Sequence, residues 1–217
     1  MIVTIDGPAG AGKSTVARRL AQRLGFRFLD TGAMYRAVAW AAARDRVDWS
    51  DASAIAQVAQ RLRIELPGSR VLVDGDDVTT AIRASEITSV THYAADNPQV
   101  REHLVGLQRL AAGNDNVVSE GRDQGTVVFP DAACKIFLTA SPSERARRRL
   151  ADLAARGESR ELAEVLAEQT LRDERDSARE VGPLIPAVDA VHVSTDELEI
   201  DEVVDAIERL VRSRMDK

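Results

Sequence analysis

Residues Gly7 to Thr15 read GPAGAGKST and follow directly on the β-branched run Ile2-Val3-Thr4-Ile5. Four residues separate Gly7 from Gly12-Lys13-Ser14, the fixed spacing of a phosphate-binding loop. Such a loop restricts the fold tightly. A strand must enter it and a helix must leave it, because the loop N–H groups and the helix N-terminus converge on one anion. The flanks agree: apolar residues recur at Val16, Ala17, Leu20, Ala21 and Leu24, a helical period that starts at Lys13. Gly7, Pro8, Ala9, Gly10, Ala11, Gly12, Lys13, Ser14 and Thr15 are therefore the candidate contacts of a nucleoside triphosphate. In such a loop Lys13 bridges the β- and γ-phosphates and Ser14 holds Mg²⁺.

Composition sharpens this reading. Only three of the 29 Lys and Arg residues are lysine, namely Lys13, Lys135 and Lys217. A chain that otherwise uses arginine keeps a compact point charge on a flexible stem at the loop position. The 217 residues suit one α/β domain with insertions better than two independent domains. A net charge of −6 argues against general binding to nucleic acid or to anionic membranes. No apolar stretch approaches a membrane span and a strand begins at Ile2, so neither anchor nor signal peptide is expected, and the cytoplasm is the expected compartment. The single cysteine, Cys134, excludes an internal disulfide and sits in an apolar run, as a buried inert thiol would. His92, His103 and His192 have no metal-like spacing to one another or to Cys134.

Short apolar runs followed by loops and helices occur at Ile2–Ile5, Arg27–Leu29, Asn116–Ser119, Lys135–Leu138 and Val191–Val193. Helical periodicity covers Lys13–Leu24, Ala33–Arg44, Val100–Ala111, Ser143–Arg156 and Leu162–Ala178, and returns in the stripe from Ile200 to Val211. The alternation predicts an α/β fold, a five-stranded parallel sheet flanked by helices, with ligands at the strands' carboxyl ends. Two stretches depart from it. Arg63 to Asp77 reads as short strands joined at Pro67-Gly68-Ser69 with a further turn at Asp74-Gly75, a small antiparallel insert. Arg145 to Arg179 reads as a helix pair broken at Gly157, whose Arg172, Arg175, Asp176 and Arg179 are spaced to share one helical face.

Two strand ends carry groups suited to a second anion. After Leu29 comes DTGAMYR, in which Thr31 is the expected N-cap and Arg36 follows about one turn into the helix. After the Asn116–Ser119 strand comes Glu120-Gly121-Arg122-Asp123, an adjacent Arg and Asp at a strand tip.

GPAGAGKST, DTGAMYR, NPQVR at Asn97 to Arg101, EGRDQGTVVFPDA at Glu120 to Ala132 and RDERDSAREVGPLIPA at Arg172 to Ala187 together resemble the bacterial cytidylate kinases. The similarity runs in the same order over nearly the whole chain and includes the insert. It implies a nucleoside-monophosphate kinase of the P-loop NTPase class: one domain with a core of about 1–30, 112–150 and 185–217, a mobile monophosphate-binding region of about 31–111 carrying a β insert at about 63–80, and a helical lid at about 157–180. It further implies ATP with Mg²⁺ as donor, CMP or dCMP as acceptor, and a monomer. By resemblance, Arg36 and Arg122 hold the CMP phosphate, Arg101 and Asp123 read the cytosine, and Asp176 and Arg179 hold sugar and phosphate. Arg172 and Arg175 match lid arginines near the transferring phosphate, and Thr31 and Tyr35 match the family's hydroxyl and tyrosine positions. The chain departs from the pattern at two places. A hydroxyl that helps hold the base falls at Ser89 or Thr91, and Glu120 stands where Asp is common.

The chemistry suits these residues. A phosphate acceptor is largely deprotonated at neutral pH, its second pKa being about 6, so no general base is needed. Cytosine presents an amino donor that Asp123 can accept, whereas uracil would set an oxygen against that carboxylate. Adenylate, uridylate and shikimate kinases are the nearest rivals, and the EGRD turn with Arg101 argues against them. A GTP-dependent switch would need NKxD and DxxG segments, and neither string occurs.

Overall fold

The structure is a computed structural model that describes residues 1–155 and 157–215. Arg156, the last residue of the helix expected from Ser143, and Lys217 lie outside the described residues. The chain forms two compact units, one of Met1–Phe28 with Asn114–Lys217 and one of Leu29–Gly113.

In the first unit, β1 (Ile2–Asp6) runs into the phosphate-binding loop and on into α1 (Lys13–Leu24); β2 (Arg27–Asp30) begins in this unit and its last two residues belong to the second. The second unit carries α2 (Thr31–Arg44), α3 (Ala52–Arg61), β3 (Ile64–Glu65), β4 (Leu72–Val73), β5 (Asp76–Asp77), α4 (Ser85–Ala95) and α5 (Pro98–Ala112). The chain then returns through β6 (Val117–Gly121), β7 (Cys134–Thr139), α6 (Pro142–Ala154), α7 (Leu162–Ala178), β8 (Val191–Ser194) and α8 (Ile200–Met215).

The main sheet is parallel and has the order β2-β6-β1-β7-β8. β1 is central, with Thr4 opposite Ser119 on one side and Lys135 on the other. Its two faces are both buried, which is why the strand reads as an apolar run rather than an alternation. Val3 and Ile5 pack with Val16 and Leu20 of α1 and with Val203, Ile207 and Val211 of α8. Strand order reverses about β1, so its carboxyl end, where the loop begins, is the switch point at which such sheets bind ligands.

The second unit has its own core, built around Met34, Val38, Ile55, Val58, Ile82, Val100 and Leu104. Its insert is a three-stranded antiparallel sheet, β3-β4-β5. Asp74 and Gly75 both have positive φ (54° and 95°), as a two-residue hairpin between β4 and β5 requires. Helices α3 and α4 lie outside the periodic segments of the sequence. Of α4 only Ile87 and Ala94 are buried, so its apolar stripe is narrow, whereas α3 buries Ile55, Ala56, Val58 and Ala59.

Candidate active site

Lys13 opens α1 and is almost wholly buried, its Nζ donating to the Pro8 carbonyl at 2.7 Å. Burial first, and then the Arg122 and Arg172 charges, push its ammonium down to about 7, while Glu120 and Asp6 oppose them. A cation so placed is one that a triphosphate would restore to full charge. Ser14 Oγ, one residue on, donates to Glu120 Oε1 at 2.5 Å. Glu120 comes from the end of β6, so the loop hydroxyl and a buried carboxylate meet as neighbouring oxygen donors. Among the described residues, no group of three or more His, Cys, Asp or Glu could hold a metal ion by itself.

The turn after β6 is built against β1. Asp6, the last residue of β1, accepts from Gln124 N through Oδ1 and from Gly125 N through Oδ2, both at 2.8 Å. Burial pushes its carboxyl up to about 6; the two N–H bonds oppose this, Asp123 adds to it, and Lys13 opposes it. The Asp123 carbonyl accepts from Val127 N and Val128 N at 2.9 and 3.2 Å, which closes the wide helical turn Gln124–Val128. Asp123 itself is buried.

Arg122 Nε donates to Asp176 Oδ2 at 2.8 Å, and Arg179 Nη2 donates to Asp176 Oδ1. Burial would raise the Asp176 carboxyl, but the Arg122, Arg179 and Arg172 charges overcome it and hold it below the usual carboxylate range. The spacing of residues 172 to 179 suggested one helical face. The structure corrects this: α7 ends at Ala178, and Arg179 is its C-cap in extended conformation, its side chain turning back to Asp176. Arg172 is partly buried and Arg175 exposed.

In the second unit, the cap of α2 is also corrected. Asp30, not Thr31, is the N-cap, with Oδ1 accepting from Ala33 N at 2.9 Å and Oδ2 from Arg83 Nη2 at 3.1 Å. The acceptor that reaches the N3 amide sits one residue earlier than expected, so Thr31 becomes the first helical residue and is buried. Arg36 Nη1 donates to Thr88 Oγ1 at 2.7 Å, and Thr88 donates on to the Ala84 carbonyl. Ser89 and Thr91 turn their hydroxyls back to the Glu86 and Ile87 carbonyls of their own helix. Asn97 caps α5 through Gln99 N and Val100 N, with Pro98 at the first turn. That cap sets Arg101 one turn in, buried, donating to the Ala95 carbonyl at 3.0 Å with its guanidinium 5.4 Å from the Tyr35 ring centre.

The family model described as cytidylate kinase matches residues 3–213. The chain belongs to the cytidylate kinase family. A cytidylate kinase of Rhodopirellula baltica is 50% identical over 212 residues, covering 98% of this chain and 93% of its own length. One of Desulfitobacterium hafniense is 49% identical over 217 residues, covering 99% and 94%. A shikimate kinase structure from Bacteroides thetaiotaomicron superposes with a TM-score of 0.51 at 16% identity, covering 98% of both chains, a likeness of fold alone.

Family membership makes ATP the donor of this P-loop, and the structure shows what supports the loop from below. Arg145 of α6 is buried, with Nη1 on the Ala9 carbonyl at 3.1 Å and on Asp173 Oδ2 at 2.5 Å, and Nε on the Ala140 carbonyl at 3.1 Å. Gln169 of α7 donates to the Arg145 carbonyl at 3.2 Å. Arg148 is held by Glu144 and by Thr195, whose own Oγ1 donates to Ala11 O. Arg145 and Arg148 are not distinguishable in the sequence among the many arginines of the segment; an Arg whose partners are backbone carbonyls leaves no local pattern. Asp173→Ala is expected to destabilise the protein by about 3 kcal/mol, the low end for a broken buried pair because two carbonyl acceptors remain on Arg145. Urea denaturation checks this, and a loss below about 1 kcal/mol would mean that solvent screens the pair.

Lys135 pairs with Asp189 at 2.9 Å, and burial pushes the Cys134 thiol up, in keeping with an inert group. No helix among the described residues is long and apolar enough to cross a membrane.

Proposed function

We propose that this chain transfers the γ-phosphoryl group of ATP to CMP, and to dCMP, giving CDP or dCDP and ADP. The observation that carries this reading is the tip of β6. There a buried carboxylate, Asp123, and a guanidinium, Arg122, follow one another beside the strand that enters the P-loop. The residues at 7–15 bind the donor triphosphate, with Lys13 on the β- and γ-phosphates and Arg172 and Arg175 neutralising charge on the transferring group. Arg36 and Arg122 take the CMP phosphate, Asp176 and Arg179 the sugar and phosphate, and Thr31 and Tyr35 complete the acceptor set. No side chain has to act as a base, since the attacking phosphate oxygen is already ionised.

Ser14 and Glu120 are hard oxygen donors in contact, which suits Mg²⁺, an ion that takes one or two protein oxygens and leaves its other positions to phosphate and water. When bound, the ion supplies positive charge at the phosphates that pass the γ-phosphoryl group.

Base choice tests the reading. Asp123 accepts from the cytosine amino group and Arg101 donates to the base. Asp123→Asn keeps the shape but replaces an acceptor-only group with one that also donates. CMP then loses a charge-assisted bond of roughly 1.5–3 kcal/mol, about ten- to a hundredfold in kcat/KM, while UMP loses less or gains. The CMP-over-UMP preference is expected to narrow by about an order of magnitude or more. An equal loss for both substrates would contradict base reading by Asp123. The chain is further proposed to act in the cytoplasm as a monomer.

A further inference from the structure

Asp6 has no part in the chemistry above, yet it is among the most closely tied groups of the first unit. Its oxygens meet two successive backbone N–H groups, those of Gln124 and Gly125, immediately after Arg122-Asp123. The turn it receives has no slack. A Cβ on Gly125 would stand 3.0 Å from Thr4 Oγ1, 3.3 Å from Lys135 Cδ and 3.4 Å from Asp6 Oδ2. Ser119 Oγ fixes the Gln124 side chain through Oε1 at 2.7 Å, and the Asp123 carbonyl closes the turn on Val127 and Val128. The residue after Asp6 is Gly7, where the P-loop begins. One carboxylate therefore joins the root of the donor loop to the tip that carries Asp123.

We infer that Asp6 is a positioning residue for acceptor recognition, fixing the Arg122-Asp123 tip so that CMP is told from UMP. This rests on the proposed reading of the base by Asp123. Retaining a buried carboxylate whose burial pushes it up to about 6 makes sense at a place where two donors have to be held side by side. An amide cannot do the same: it has one acceptor oxygen, and its NH₂ would face an N–H.

The test compares the wild type, Asp6→Asn, Asp123→Asn and the double variant with CMP and UMP as acceptors and Mg-ATP as donor. Asp6→Asn is expected to raise the KM for CMP about tenfold and to narrow the CMP/UMP preference by a similar factor, with the KM for ATP held within about threefold. In the double variant the preference is expected to be no narrower than with Asp123→Asn alone, because Asp6 acts through Asp123. An unchanged preference in Asp6→Asn beside a narrowed one in Asp123→Asn overturns the inference, as do effects that multiply in the double variant. An unchanged preference in Asp123→Asn shows instead that the base reading itself is wrong, and the inference falls with it. Should Asp6→Asn fail to fold, Gly125→Ala displaces the same turn and leaves the carboxylate in place. It is expected to reproduce the selective loss with CMP, and equal rises in both KM values would overturn the inference.

Discussion

Lys13→Ala is expected to lower kcat by about 10²–10³-fold, the usual cost of removing one preorganised donor from developing charge, while CMP affinity changes little. The side chain is buried at the start of α1, where the Pro8 carbonyl holds its Nζ within the loop. Burial, with Arg122 and Arg172, pushes its pKa down to about 7, and the negative charge of a bound triphosphate would favour the ammonium again. Lys13→Arg is expected to fail as well, because a planar fork is too bulky for the tight loop and cannot replace a point charge. Steady-state rates with CMP, together with CMP titration of the ATP-free protein, check both points. Near-normal turnover in the arginine variant would contradict this account of the loop.

Gly7→Ala is expected to be severely damaging, costing about 4 kcal/mol or more and preventing ATP binding. Gly7 has φ of 148°, and a Cβ there would lie 2.0 Å from the Leu138 carbonyl oxygen of β7. Neither backbone can move without breaking the β1–β7 register that places the loop. Gly25, the C-cap of α1, provides the comparison. Its φ is 69° with nothing within 4 Å of a Cβ, so Gly25→Ala meets backbone strain alone, about 1–2 kcal/mol. Thermal unfolding of the two variants separates steric overlap from conformational strain. A Gly7 variant no less stable than the Gly25 variant would refute the close approach.

What the sequence made legible was what depends on short stretches. The P-loop spacing, the β-branched run before it and the period of α1 specify strand, loop and helix together, and the buried strands betray themselves as apolar runs because both faces are covered. Contacts between distant residues left no such trace. The Asp30 cap was masked by Thr31 beside it, since either residue type can cap, and the choice fell to the carboxylate, which also serves Arg83. The contact of Thr88 with Arg36 left no trace either, because helical phase decides which hydroxyl of α4 reaches that guanidinium. The role of Asp6 was invisible because its partners, Gln124 and Gly125, offer only backbone, which no side-chain motif records. The third strand of the insert, Asp76–Asp77, is two acidic residues with none of the composition of a strand; pairing with β4 alone makes it one.

The central claim is the acceptor, and the most direct measurement of it is a coupled assay of ADP formation from Mg-ATP with CMP, dCMP, UMP, AMP, GMP and shikimate offered separately. CMP, with dCMP beside it, is expected to give the highest kcat/KM, by about tenfold or more over UMP and AMP, and EDTA is expected to abolish turnover. A kcat/KM for AMP or UMP about tenfold above that for CMP would contradict the assignment of the acceptor, even with the P-loop chemistry intact.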